Sequence, residues 1–420
     1  MHRNYSGWPT KRWDEPVLSA RARPSRLQWG RALWGPVRGS RTAGGVGSPN
    51  TDGRVRELRY VLPEGEIPPS VGGTGEPICL DMRRWGSVGP HSRSPGRGEG
   101  GAGSVEVERA LSALAKPTEE GLELVLDRLG RVRDYGIWPH GRRDLWTDAL
   151  GVICLASVHR ELGEKRILAE AEWVALEVDR VLGRRKGIRT AEGVDGGGQT
   201  FRSLALWVFA LHRLGEFLPP YRQRALDLVR EIHAPFVRPG LGIIGRMEED
   251  LSGPYGDSGP GLLEVFLGLA VYRQVGAEAL TPEIEELEAM VQSTYRSLAP
   301  DSSVDLGLTL WITHFFPDEA WALDLRERAL AGLDGRWVDP PGYFRRNLPE
   351  PWDGPVRSNR LAISNLSTSI GLQAQGVWKD RVRRLHRYFL QDYNWEVDMD
   401  DALAPLLTCI SLWPALFLSD

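Results

Sequence analysis

Cysteine is scarce in this chain of 420 residues, which contains only Cys79, Cys154 and Cys409. Three widely separated cysteines cannot build a disulfide framework or a Cys-based zinc site. Cys154 and Cys409 lie in apolar helical runs, which indicates buried thiols. The eight histidines do not fall at metal-ligand spacing either. We therefore expect neither a metal nor another cofactor.

Long apolar runs are also missing. No apolar stretch follows the early basic residues, as a secretory signal would require. The most apolar segment, residues 402–418, is interrupted by Pro405 and Pro414, and it is short for a membrane span of about 20 residues. We expect a buried helix there, no membrane partner and a cytoplasmic location.

Several catalytic signatures are absent from the sequence. It has no phosphate-binding loop, no dinucleotide fingerprint, no serine nucleophile elbow and no HExxH metal motif. The aspartate-rich DxDD pattern of isoprenoid chemistry is missing too. These absences argue against the enzyme classes that depend on those motifs.

The first hundred residues differ in composition from the rest. Residues 1–100 carry 16 basic and 9 acidic side chains, whereas residues 101–420 carry 36 and 47. The first part is rich in Gly, Pro, Arg and Ser, and such a composition buries too little apolar surface to offset chain entropy. We predict a disordered leader over 1–104. Its interleaved Arg and Trp residues leave a nucleic-acid tail as the alternative, but we expect no nucleic-acid partner.

From residue 118 onward, apolar residues recur at helical spacing and turn residues divide them regularly. Twelve segments result, in which a half-polar helix alternates with a helix that is apolar on most sides. Their predicted bounds are 118–132, 144–162, 165–182, 200–214, 220–233, 261–275, 282–298, 304–316, 318–333, 358–375, 379–393 and 400–418.

Six pairs of one half-exposed and one buried helix indicate an all-α fold, an (α/α)6 toroid over residues 105–420. The buried helices would line an inner ring and the half-polar ones an outer ring. A superhelix of helical repeats is the alternative, but it normally has a more regular repeat length.

The helix count and the long loops rich in Gly, Asp and aromatic residues before the apolar helices resemble the six-hairpin glycosidase-like superfamily. The stretch WPHGRRDLWTD at 138–148 is similar to the start of an inner helix in uncharacterised members. The resemblance covers residues 118–420. It implies the toroid fold and a cleft, and it indicates a saccharide only weakly, because one fold hosts many functions.

In such a toroid, the inner helices begin around one cavity, here called the mouth. Asp144 and Asp148 are four residues apart, as are Asp301 and Asp305, so each pair can share a helix face. Asp144 and Asp301 are predicted to cap their helices. Asp148 and Asp305 lie one turn inside apolar helices, where a carboxylate needs an ion pair or a watered cavity. An ion pair with Arg142 or Arg202 is the structural alternative.

Hydrolysis of a glycosidic bond needs two carboxyl groups that flank the bond. We predict Asp148 as general acid or base, with Asp305 or Asp257 as its partner. Asp257 stands between glycines, so a loop turn is its alternative explanation. His140, on the loop before the first inner helix, is a further catalytic candidate.

Substrate contacts are predicted at the same mouth. Arg142, Arg143 and Arg202 would anchor carboxylates or hydroxyls of a saccharide that can carry acidic groups. Trp138 and Trp352, in loops beside charged residues, would stack on sugar faces. Trp146, Tyr255 and Asn359 complete the predicted binding residues.

The resulting hypothesis is a carbohydrate-active enzyme, a glycoside hydrolase or lyase, with a small saccharide as its partner. Because no known catalytic motif is matched, a non-catalytic toroid that binds a glycan, a peptide or a protein is the alternative. The sequence leaves the oligomeric state open.

Overall fold

The architecture comes from a computed structural model that describes residues 119–134, 136–193, 197–345, 362–392 and 403–418. The predicted leader over 1–104 and the predicted start of the toroid at 105–118 lie outside these ranges. Within them, most of the chain is helical.

Inner and outer helices alternate along the described ranges, six of each. The inner helices are α2 (Leu145–Leu162), α4 (Phe201–Leu214), α6 (Leu263–Gly276), α8 (Ser303–Thr313), α10 (Ala362–Ala374) and α12 (Leu403–Leu412). The outer helices are α1 (Glu119–Asp134), α3 (Lys165–Leu182), α5 (Pro220–Phe236), α7 (Thr281–Thr294), α9 (Ala320–Asp334) and α11 (Lys379–Arg387).

The inner helices form a closed ring. Each one packs on the next inner helix along the chain, and α12 packs back on α2. The six-hairpin toroid predicted from the sequence is therefore confirmed. The apolar surface of the inner helices is covered on all sides because each has two inner neighbours and one outer neighbour. This explains why α2 lacks a polar face and is buried along most of its length.

The sequence predicted that each inner helix pairs with the outer helix before it, and the structure shows a different pairing. Each inner helix from α2 to α10 packs chiefly on the outer helix that follows it, whereas α1 packs on α12, the last inner helix. The reason is loop length: only Gly163 and Glu164 separate α2 from α3, and a short connection forces antiparallel neighbours. Gly163 adopts φ 67° and its N–H donates to His159 O at 2.8 Å, which ends α2 at that turn.

Small residues bring α8 and α10 into backbone contact. A Cβ on Gly307 would lie 2.6 Å from the Cα of Thr368, and one on Gly371 would lie 2.2 Å from Gly307 O. Thr368 Oγ1 donates to Ser303 O at 2.8 Å across the same contact. Larger side chains at these glycines would push the two helices apart and open the ring.

The long connections all lie at the end of the ring where the inner helices begin, because short loops join inner to outer helices at the opposite end. Several of these connections carry short antiparallel strands. They are β1 (Gln199–Thr200) paired with β4 (Arg246–Met247), β3 (Gly242–Ile244) between β2 (Val237–Arg238) and β5 (Pro260–Gly261), and β6 (Trp337–Val338) paired with β7 (Tyr343–Phe344). This end is the mouth predicted from the sequence.

Aromatic side chains close the ring toward the other end. Phe209 of α4 and Trp311 of α8 have ring centroids 5.3 Å apart, although α6 lies between their helices in the ring. Trp311 Nε1 donates to Phe417 O at 2.7 Å. These contacts join α4, α8 and Phe417 near the helix C-termini, at the end of the ring away from the mouth. Among the described helices, none combines the length and the apolar character that crossing a bilayer requires.

Candidate active site

Three charged side chains from consecutive inner helices meet at the mouth. Arg202 stands in the first turn of α4, Glu264 in that of α6 and Asp305 in that of α8. Arg202 Nε donates to Glu264 Oε1 at 2.6 Å, and Arg202 Nη1 donates to Asp305 Oδ1 at 2.7 Å. We call this group the mouth triad. One guanidinium thus holds two carboxylates from different helices.

Asp305 is oriented by the residue that caps its helix. Ser302 accepts a hydrogen bond from Asp305 N at 3.1 Å, and its hydroxyl donates to Asp305 Oδ2 at 3.0 Å. The prediction that Asp301 caps this helix is wrong, because Ser302 takes the extended conformation and makes the capping bond. Both oxygens of Asp305 are therefore held before any ligand binds.

Glu264 is oriented by a glycine. A Cβ on Gly261 would lie 2.1 Å from Glu264 Oε2, so only glycine leaves room for this carboxylate. Gly261 is fixed in turn by strand β5, which pairs with β3 through Ile243. The short strands of the long loop thereby set the position of a charged group at the mouth.

The mouth triad is largely but not fully shielded from solvent. The exposed fractions of the side chains are 13% for Arg202, 10% for Glu264 and 23% for Asp305. Burial lowers the pKa of Arg202, but the two carboxylates outweigh burial, so this pKa is raised overall. One guanidinium and two carboxylates give the triad a formal charge of one negative unit.

The spacing of the two carboxylates suits acid–base chemistry on a sugar. Both contact nitrogens of one planar guanidinium, which places the two bound oxygens within about 8 Å of each other. Glycosidases use separations of about 5–5.5 Å for retention and about 6.5–9.5 Å for inversion. The two carboxylates are therefore close neighbours, bridged by the Arg202 guanidinium.

Asp148 has a different environment from Asp305. Its side chain is 0% exposed, its Oδ1 lies 3.0 Å from Arg143 Nη1, and the same oxygen accepts a hydrogen bond from Trp138 Nε1 at 2.9 Å. The partner is Arg143, whereas the sequence suggested Arg142 or Arg202. Burial raises the pKa of Asp148 to about 7, although Arg143 and Trp138 lower it. A carboxylate closed off in this way favours a structural role over contact with a substrate.

Arg143 and Trp138 are also buried, which changes the roles expected for them. Arg143 donates to the backbone oxygens of Pro139 and Gly141 in addition to its ion pair. The Trp138 indole lies against α2, where a Cβ on Gly151 would approach the ring to 2.1 Å. A ring packed in the core offers no face to a sugar, so the structure does not support Trp138 as a stacking platform.

Asp144 caps α2, as the sequence predicted. Its Oδ1 accepts hydrogen bonds from Thr147 N and Thr147 Oγ1, both at 2.9 Å. The paired carboxylates at Asp144 and Asp148 therefore serve the helix start and the core beneath it.

The remaining predicted residues lie around the rim. Arg142 and His140 are exposed on the loop before α2, and the His140 ring lies 5.1 Å from that of Trp173. Trp146 is half-buried in the first turn of α2. Asp257 is exposed in the loop between β4 and β5.

In that same loop, the ring of Tyr255 lies 4.1 Å beneath the guanidinium of Arg246. Trp352 and Asn359 lie outside the described residues. The catalytic and binding roles of the exposed rim residues stay predictions.

Glu264 was missed by the sequence reasoning. The signal was available, because Glu264 is an acidic residue in the first turn of an otherwise apolar helix, as are Asp148 and Asp305. Among the described residues, no three His, Cys, Asp or Glu side chains are grouped as metal ligands would be.

The fold is shared with enzymes that act on sugars. Solved structures that match include a D-mannose isomerase at 10% identity and TM-score 0.51, covering 71% of this chain and 97% of that chain. An unsaturated glucuronyl hydrolase specific for heparin matches at 10% identity and TM-score 0.50, over 74% and 96%. A GH76 α-mannanase of Bacteroides thetaiotaomicron matches at 9% identity and TM-score 0.51, over 75% and 98%.

The chain therefore has the fold of the six-hairpin glycosidase-like superfamily, and the resemblance stated from the sequence is confirmed at the level of the fold. No family model and no curated protein matches the sequence. Matches at identities near 10% show a shared architecture only, so the activity has to be argued from the site.

Proposed function

We propose that this chain is a carbohydrate-active enzyme that cleaves a saccharide at the mouth of the toroid, as a glycoside hydrolase or lyase. The observation that carries the proposal is the mouth triad, which places two carboxylates on one arginine where three inner helices begin. Enzymes with the same fold include a hydrolase, a mannanase and an isomerase of sugars.

The two carboxylates have environments that suit different roles. Glu264 is the more buried of the two. Among the described residues it pairs with Arg202, and its second oxygen lies where Gly261 has no side chain. We assign Glu264 the role of general acid, which a shielded carboxyl group fills in glycosidases. Asp305 is held by both Arg202 and Ser302, and we assign it the role of base or nucleophile.

Three of the described histidines lie away from the mouth, whereas His140 is exposed at its rim. His159 and His212 lie in the last turns of α2 and α4, and His314 directly follows α8. They are therefore at the end of the ring opposite to the mouth. An imidazole mechanism at the mouth would therefore have to use His140 and not these three residues.

A screen of purified protein against glycosides, uronides and oligosaccharides tests the proposal, followed by Glu264→Gln and Asp305→Asn. Each variant should lower turnover by at least about a hundredfold, with the fold unchanged by circular dichroism. Glu288→Gln is the matched control, because Glu288 pairs with Arg273 on the outer surface. Absence of turnover on every substrate would count against an enzyme.

A non-catalytic toroid that binds a glycan, a peptide or a protein is the second candidate. It is favoured by one observation, namely that Asp148 and Asp305 are both engaged in ion pairs. The same screen separates the two candidates, because a binding protein would retain a saccharide or peptide unchanged and lose affinity, not turnover, in the Asp305→Asn variant.

A further inference from the structure

The guanidinium of Arg202 has no complete edge left for a ligand carboxylate. A bidentate contact uses either Nε with Nη2 or Nη1 with Nη2. Nε already donates to Glu264 Oε1 at 2.6 Å and Nη1 to Asp305 Oδ1 at 2.7 Å. A uronate would have to displace a carboxylate that the fold itself holds in place.

Several other described arginines near the mouth are also engaged, whereas Arg142 on the rim is exposed. Arg143 is buried against Asp148. Arg246 lies over the ring of Tyr255 and donates to Gly197 O. The pair Arg184 and Arg189 shares Glu249, each at 3.0 Å. Each of these four guanidinium groups is thus held in place by protein groups.

The charge of the mouth triad also disfavours a ligand carboxylate. With one guanidinium and two carboxylates it is negative by one unit, and it is only partly screened by water. A third carboxylate brought to this site meets two like charges, which disfavours it. A hydroxyl, by contrast, can donate to either carboxylate without that repulsion.

We propose that the mouth triad selects an uncharged or cationic saccharide and discriminates against uronates. This inference rests on the proposed function, since it assigns the substrate class of the same site. It also revises the sequence-based expectation of an acidic saccharide, which depended on Arg142, Arg143 and Arg202, because only Arg142 of the three is exposed.

Binding of matched sugar pairs tests the inference. The probes are methyl glycosides of glucose, galactose and mannose, each compared with the uronate that differs only in a carboxylate at C6, together with methyl glucosaminide. Affinities are measured by titration calorimetry or ligand-observed NMR. We expect the neutral sugar of a bound pair to bind at least about tenfold tighter than its uronate, and the amino sugar to bind at least as tightly as the neutral sugar. The difference in affinity between neutral sugar and uronate should narrow as salt rises from about 20 to about 500 mM.

Two variants test whether the mouth triad causes the preference for the neutral sugar. Glu264→Gln and Asp305→Asn each remove one negative charge, so the preference for the neutral sugar should shrink severalfold in both. Glu288→Gln removes a charge far from the mouth and should leave the preference unchanged.

A uronate that binds tighter than its neutral partner overturns the charge inference and leaves the proposed function standing. An unchanged preference in both triad variants also overturns it. If no saccharide of the panel or of the larger oligosaccharide screen binds, the proposed function fails, and the inference fails with it.

Discussion

Arg202 Nη1 lies 2.7 Å from Asp305 Oδ1, although α6 stands between the two helices that carry these residues in the ring. The same guanidinium holds Glu264 on α6 at 2.6 Å. One side chain therefore ties three helix starts together and holds two partly buried carboxylates. This arrangement makes stability and site geometry depend on the same residue.

Replacement of Arg202 by Met should destabilise the fold. It strands two partly buried carboxylates without a countercharge, and breaking such a pair costs on the order of 3 kcal/mol. Urea unfolding of the variant and of the wild type measures this loss of unfolding free energy.

Arg273→Met is the control for this prediction. Arg273 pairs with Glu288 in a more exposed setting, and pairs of that kind contribute less than about 1 kcal/mol. Equal losses of unfolding free energy in the two variants would contradict a special role of Arg202.

Gly261→Ala should impair the site while leaving the fold nearly intact. The added Cβ would lie 2.1 Å from Glu264 Oε2, so the carboxylate must move away from its position on Arg202. We expect turnover to fall at least about tenfold, since small displacements of catalytic groups have effects of that size or more. Gly259→Ala is the matched control, because no atom lies within 4 Å of a Cβ there. Comparable losses of activity in both variants would show that Glu264 is not positioned by Gly261.

Asp148 should make the protein less stable as pH rises. Burial raises the pKa of the folded-state carboxyl to about 7, against 3.8 for an ordinary aspartate. The native state then binds the proton more tightly than the unfolded state, so the contribution to stability is complete below about pH 4 and is lost as pH rises to about 7. The loss is on the order of 4 kcal/mol.

Asp148→Asn removes this titration. Its unfolding free energy, followed by urea unfolding from pH 4 to pH 8, should lack the decline that the wild type shows. Asp227→Asn, at an exposed position of α5, should retain it. A wild type that gains stability relative to Asp148→Asn over this range would mean that Arg143 dominates over burial and keeps Asp148 ionised.

The thiols of Cys154 and Cys409 should be unreactive in the folded protein. Both are buried in inner helices that close the ring. A hydrogen bond with Cys409 and burial raise the pKa of Cys154, and the thiolate is the reactive form. Iodoacetamide at about pH 8 should modify neither residue until urea unfolds the chain. Mass spectrometry of the peptides reads out each site, and alkylation of either thiol in the native protein would show that the ring closure opens.

Local sequence features determined the helices and one of the caps. Apolar residues that recur with the helical period of 3.6 located the twelve segments. This works because the residues of a helix themselves determine whether it buries one stripe or its whole surface. Helix α2, predicted at 144–162, runs from Leu145 to Leu162. Asp144 was assigned as its cap for the same reason, since a capping bond joins residues three apart.

Tertiary structure decided which helices pair and which charges meet. The sequence grouped each half-polar helix with the apolar helix after it, but the short loop at Gly163 joins α2 to α3, and closure of the ring leaves α1 to pack on α12. The sequence also offered Arg202 as a partner of Asp148. In the structure, Asp148 pairs with Arg143 and Arg202 reaches residues 62 and 103 positions away. Contacts at such separations depend on the angle and order of the helices in the ring, which no local pattern of residues encodes.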